Sequence, residues 1–171
     1  FKHVDIGISL ESTEKLNNFV RNGANTAEIL QNIEEYLQYR RAGHVYVTLR
    51  IVPSALSVHT LDSLFRWCVS HELDIMSNIL STPSHLAIKQ LPKQVKDRLI
   101  NQFSSWQFSE NKDTGNDRRP EDFKQHIDNE LKAIIKLLHE PNDPELTKKL
   151  YNSLERWGWL ENTDIRNYFS T

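Results

Sequence analysis

The sequence of 171 residues holds one cysteine, Cys68. A lone thiol excludes an internal disulfide and every metal site built from several cysteines, and it suits a reducing, cytoplasmic setting. Glycine is also scarce: the five glycines are scattered, and none forms a Gly-rich loop able to cradle a phosphate. Neither sign of charge dominates, with Lys+Arg 21 against Asp+Glu 23. No basic excess calls for a nucleic-acid partner, and no like-charge block reads as a tail. Apolar runs are short, so no membrane span or signal-peptide core is expected. The histidines lack metal-ligand spacing, since His59 and His71 fall at opposite ends of one predicted helix and His85 in a loop. The only methionine is Met76 and the first residue is Phe1, which leads us to expect a processed chain or a fragment of a longer one.

What is present is alternation. In residues 3–10, Val4, Ile6, Ile8 and Leu10 oppose Asp5, Gly7 and Ser9, a half-buried strand by its period of two. A helix is predicted over 26–41, with Asn25 or Thr26 as N-cap and Ile29, Ile33, Tyr36 and Leu37 on one face. A second alternating strand covers 45–52 and ends at Pro53. A helix over 59–72 carries Leu61, Leu64, Phe65 and Cys68 on one stripe, and a third strand covers 74–80. Strand, helix, strand, helix, strand at this spacing predicts two βαβ units, three parallel strands and both helices on one side.

Strands covered on both faces read as nearly continuous apolar runs. These alternate, so the second face, with Ser9, Glu11, Thr48, Arg50 and Asn78, is expected to look into a polar, ligand-holding space. The fold class is therefore α/β, and a curved partial barrel fits better than a flavodoxin-like sandwich. Residues 1–92 form this part. Residues 93–171 form a helical extension, with a polar, mobile segment expected near 104–122. Its long helix carries Phe123, Ile127, Leu131, Ile134 and Leu138 on one stripe. The next is capped by Asp143, has Pro144 at its first position and stops at Gly158, with Trp157 and Trp159 fastening its end.

Three separated segments sharpen this. Ile8-Ser9-Leu10-Glu11-Ser12, then Phe19-Val20-Arg21-Asn22-Gly23, then Gln31-Asn32-Ile33 resemble the fourth strand and following helix of radical S-adenosylmethionine (SAM) enzymes of the twitch-domain group. The segment 80–92, LSTPSHLAIKQLP, is similar to that family's stretch after its last strand. The likeness covers residues 2–103 and reaches the tail only loosely. It implies the C-terminal part of a partial (β/α)6 TIM-type barrel, SAM as cosubstrate, one 4Fe–4S cluster in the complete protein and a reductase partner. By the same resemblance Ser9 contacts the SAM ribose, and Glu11 stands where the family has Asp. Arg21 matches the arginine that reaches the methionyl carboxylate or holds the loop, and a guanidinium pairs well with a carboxylate. Ser12 replaces a glycine, which raises the question of how the turn closes. The family's Cys-x3-Cys-x2-Cys loop would lie upstream of Phe1, so this chain alone should hold no cluster and be inactive.

Blander readings stand beside these. Ser9 and Glu11 can end a strand and cap a turn. Arg21 can be a solvated loop arginine, and Cys68 a small buried hydrophobe. Arg50 either pairs with Asp5 or Glu11 or binds a substrate carboxylate; Thr48 and Asn78 share its face. The rival to an enzyme is an α/β interaction module whose C-terminal helices form a partner-binding groove.

Overall fold

A computed structural model describes residues 4–40, 45–106 and 120–158. The elements run β1 (Val4–Ser9), α1 (Leu16–Val20), α2 (Thr26–Arg40), β2 (Val45–Ile51), α3 (Leu61–Ser70), β3 (Asp74–Ser77), α4 (Lys93–Ser104), α5 (Pro120–His139) and α6 (Pro144–Arg156). Most of the expected mobile segment, the helix stop beyond Arg40, the Phe123 side chain and Trp159 lie outside the described residues.

The three strands form one parallel sheet in sequential order, β1-β2-β3. Ser9 stands opposite Arg50, and Arg50 opposite Met76. The alternation separates the faces as the sequence predicts. Val47, Leu49, Ile51 and Ile75 are buried, whereas Asp5, Gly7, Ser9, Tyr46, Arg50 and Met76 are exposed. α2 packs on β2 and α3 on β3. Ile33 of α2 and Leu61, Leu64, Phe65 and Cys68 of α3 are wholly buried with the strand residues. Burial pushes the Cys68 thiol's pKa far above its ordinary value, which leaves it inert.

Three features differ from the sequence expectation. Val4 was expected to face the helices but is 40% exposed, because β1 is an edge strand and α2 lies over β2. β3 ends at Ser77 rather than at residue 80. Beyond Ile51 the ladder has no partner to offer: the Val52 amide is taken by Glu11, and Pro53 has no N–H to give. Only the Asn78 amide follows, donating to the Ile51 carbonyl at 2.9 Å. Lastly, α1 is absent from the sequence expectation, although Leu16, Phe19 and Val20 stand at the helical spacing i, i+3, i+4 and Leu16 and Val20 pack against the core.

The helical extension packs on the sheet. Leu91, Val95, Leu99 and Phe103, then Ile127, Leu131, Ile134, Leu138, Leu150 and Leu154, continue the core that begins under the strands. α6 starts as expected, with the Asp143 carboxylate accepting from the Glu145 and Leu146 amides. α5 lies along the outer edge of β3 and satisfies its backbone. His126 Nε2 lies 2.6 Å from the Ile75 carbonyl oxygen, and the Ser77 amide donates to Glu130 Oε2 at 2.9 Å. The Ser77 hydroxyl donates to the same oxygen. An exposed strand edge invites pairing with other chains, and two side chains of α5 close this one. Among the described residues no helix is long and apolar enough to cross a membrane.

Removing Glu130 would leave the Ser77 amide unmatched beside a helix. A hydrogen bond to a charged group contributes about 1.5–3 kcal/mol, so Glu130→Ala should lower stability by about that much. Lys132→Ala, on the exposed side of α5, should change it by less than about 0.5 kcal/mol. Urea denaturation of both variants checks this.

His59 gives a pH signature. Burial holds it neutral and lowers its pKa to about 4. The unfolded chain takes up this proton below about pH 6.5, and the folded chain only below about pH 4. Stability is therefore full above about pH 6.5, falls as the pH drops between those values and levels off below them. Burial shifts His85 in the same direction. His59→Leu should flatten the slope, measured as urea midpoints at about pH 7.5 and about pH 5.

Candidate functional site

The C-terminal ends of the three strands gather the residues singled out from the sequence, in two groups. The first is built around Glu11, just past β1. Its side chain is only 4% exposed and each carboxylate oxygen is engaged. Oε1 accepts from Arg21 Nη2 at 2.6 Å, and Oε2 accepts from the Val52 amide at 2.8 Å. The Glu11 amide donates to Asn17 Oδ1 at 2.9 Å. Glu11 thus ties the end of β1 to the end of β2 and holds Arg21 between them.

The segment from 12 to 26 supports this clamp with polar side chains. The Ser12 hydroxyl is fully buried and accepts from the Glu14 amide at 3.1 Å. Asn17 Nδ2 donates to Thr26 Oγ1 at 3.2 Å, and the Thr26 amide to Asn18 Oδ1 at 2.8 Å. The turn therefore closes with serine at position 12 through this hydroxyl bond. Positive φ is instead met at Gly23, at 86°, just before α2. Asn25 caps that helix, its side-chain oxygen accepting from the Glu28 amide at 3.4 Å. Arg21 is about one third exposed, yet its Nε is buried without a hydrogen-bond partner.

The second group lies on the uncovered face. Ser9 and Arg50 are cross-strand neighbours, both exposed, and Thr48 lies two residues earlier on the same face of β2. Arg50 folds back over Gly7: a Cβ at Gly7 would come within 2.7 Å of Arg50 Nε. Asn78 is exposed beyond β3, away from the Glu11–Arg21 pair in the strand order. The pairing of Arg50 with Glu11 weighed from the sequence does not form, because Arg21 and Val52 occupy that carboxylate.

Past β2 and β3 lies an open cavity of about 780 Å³, lined by Pro53, Ile79, Lys89, Gln90, Leu137 and Glu140 among others. Lys89 and Glu140 pair across it at 3.1 Å. Lys96 is buried behind them; its Nζ donates to the Glu140 carbonyl at 2.7 Å, and burial lowers its pKa. Among the described residues no group of three or more His, Cys, Asp or Glu could hold a metal ion.

Sequence reasoning missed Asn17 and the Val52 amide, which bond Glu11, and Asn18, which with Thr26 (read only as a possible N-cap) braces the loop. Nothing in the spacing of two asparagines and a threonine marks them. Gly7 did carry a signal, since a glycine inside a strand often marks close approach of another group.

Glu11→Ala should leave the Val52 amide and the Arg21 guanidinium unmatched. A broken buried pair costs about 3–5 kcal/mol, and the partial exposure of Arg21 brings the expected loss to about 2–4 kcal/mol. Glu11→Asp should lose most of the same amount, because the shorter side chain does not span Arg21 and Val52 together. Denaturant unfolding of the two variants measures it. Compared with known proteins, this chain matches no family model, no curated protein and no solved structure.

Proposed function

We propose that this chain supplies the later βα units of a radical SAM enzyme of the cytoplasm, a partial TIM-type barrel that holds part of the SAM site. The observation that carries this is the order and dress of the sheet: three parallel strands in sequential order, helices over one face, polar residues on the other and at the C-terminal ends. Sequential parallel order is that of a barrel arc, and such sheets take their ligands at the C-terminal ends of their strands.

The residues present suit SAM. Ser9 offers an exposed hydroxyl to the ribose. Arg21 keeps one donor, Nε, that no protein acceptor satisfies, and a buried unsatisfied donor asks for a partner. The methionyl carboxylate is a matching acceptor. Glu11, with both oxygens engaged, acts as a positioning residue for Arg21 rather than as a ribose acceptor. They do not suit a 4Fe–4S cluster: Cys68 is buried in the core, and one thiol cannot replace the thiolates a cluster requires. In this proposal the cluster ligands come from sequence upstream of the chain, and a reductase supplies the electron for SAM cleavage.

A second reading, an interaction module, has one observation in its favour: the cavity beside the α5–α6 corner, where Ile79 is 73% exposed. The test between them begins upstream. The extended protein should contain Cys-x3-Cys-x2-Cys, and after anaerobic reconstitution with iron and sulfide it should bind SAM by calorimetry. Ser9→Ala should weaken that binding by about 0.5–1.5 kcal/mol, the net contribution of one hydrogen bond. An extended protein without the cysteine motif, or one that carries a cluster and ignores SAM, would overturn the proposal.

A further inference from the structure

We propose that the uncovered face of the sheet recognises a carboxylate on the substrate, with Arg50 as the residue that binds it. This deepens the functional reading above and rests on it only for identifying that face as the substrate side. Arg50 sits on the central strand, between Ser9 and Met76 in register. Its neighbours Leu49 and Ile51 are wholly buried under the helices, which fixes the direction in which Arg50 points. An arginine at this position is committed to the open face.

The side chain is also placed along that face. Nε would lie 2.7 Å and Cζ 3.2 Å from a Cβ on Gly7, so the guanidinium lies across β1 where only a glycine leaves room. The nearest anion along the chain, Glu11, is spent on Arg21 and Val52. No hydrogen bond or ion pair among the described residues holds the Arg50 guanidinium. A positioned, unmatched guanidinium with hydroxyls beside it, from Ser9 opposite and Thr48 two residues before, forms a receptor for a planar anion.

The chemistry of the face selects which anion. A guanidinium matches a carboxylate in two parallel hydrogen bonds. Asp5 and Asp74 stand on the same face, opposite Tyr46 and Thr48. Negative charge on the same face opposes a doubly charged phosphate more than a singly charged carboxylate, because like charges repel in proportion to their product. The substrate group inferred is therefore a carboxylate.

The test is ¹H–¹⁵N NMR of arginine Nε–H signals in the whole chain at constant ionic strength, titrated in turn with sodium acetate, inorganic phosphate and acetamide. The Arg50 signal should shift saturably with acetate, half-maximally at a concentration about tenfold below that needed for Arg66, which is already paired with Asp62 at 2.9 Å. Phosphate should act more weakly and acetamide not at all. Arg50→Lys should abolish saturation. Gly7→Ala, which displaces the guanidinium without touching its charge, should weaken it several-fold. An Arg50 response no stronger than that of Arg66, an equal response to acetamide, or tighter binding of phosphate would overturn the proposal. No SAM is present, so a failure here leaves the SAM titration untouched. Saturable acetate binding supports the carboxylate site even where the SAM titration fails.

Discussion

One buried carboxylate sets the geometry at the C-terminal ends of β1 and β2. Two adjacent parallel strands end side by side, and the segments leaving them diverge at once, one into the loop before α2 and the other into Pro53. Glu11 spans that divergence. Its two oxygens take one donor from each side, the Arg21 guanidinium and the Val52 amide. Both ends of the clamp matter for what lies next to it. The Val52 bond helps stop the ladder after Ile51, which opens the space beyond the strands. The Arg21 bond occupies the other carboxylate oxygen and leaves Arg50 without Glu11 as a partner. A shorter acid would not bridge the two donors, which gives a physical reason for glutamate at this position.

The described helices cover one face of the sheet and leave Ser9, Arg50 and Met76 exposed on the other. A three-stranded sheet has two faces and two edges to account for, and a small one is stable only when an apolar face is covered. α2 and α3 cover one face. At the β3 edge α5 contributes His126 and Glu130 to backbone groups that a fourth strand would otherwise meet. The helical extension is thus joined to the sheet by hydrogen bonds as well as by the continuous core through Leu99, Ile127 and Leu131. None of the described helices covers Ser9, Arg50 or Met76, which are exposed.

Much of the architecture was legible because burial leaves a period in the sequence. Val47, Leu49 and Ile51 alternate with Tyr46, Thr48 and Arg50, and the structure buries the first set and exposes Tyr46 and Arg50. The stripe Leu61, Leu64, Phe65 and Cys68 is wholly buried. Where burial is partial the period misleads: Val4 belongs to the apolar set but lies on an edge strand, while α2 packs mainly on β2. Hydrogen-bond networks leave no period at all. Asn17, Asn18 and Thr26 fix the loop through contacts whose spacing follows the fold of that one segment, so these contacts leave no trace in the sequence, whereas Leu16, Phe19 and Val20 do mark α1. The candidate site was legible as a set of residues, Ser9, Glu11, Arg21, Thr48, Arg50 and Asn78. Its division was not, because whether an acid is a ligand or a brace depends on which donors the folded backbone brings to it.

The central claim is that SAM lies across the C-terminal ends of β1 and β2, against Ser9 and Arg21, with Glu11 held behind them. A crystal structure of the upstream-extended, cluster-loaded protein with SAM tests it most directly. The ribose should contact the Ser9 hydroxyl and the methionyl carboxylate the Arg21 guanidinium, while Glu11 keeps its bond to the Val52 amide. SAM seated instead in the cavity beside Lys89 and Glu140, or Glu11 released from Val52 to bind the ribose itself, would contradict it.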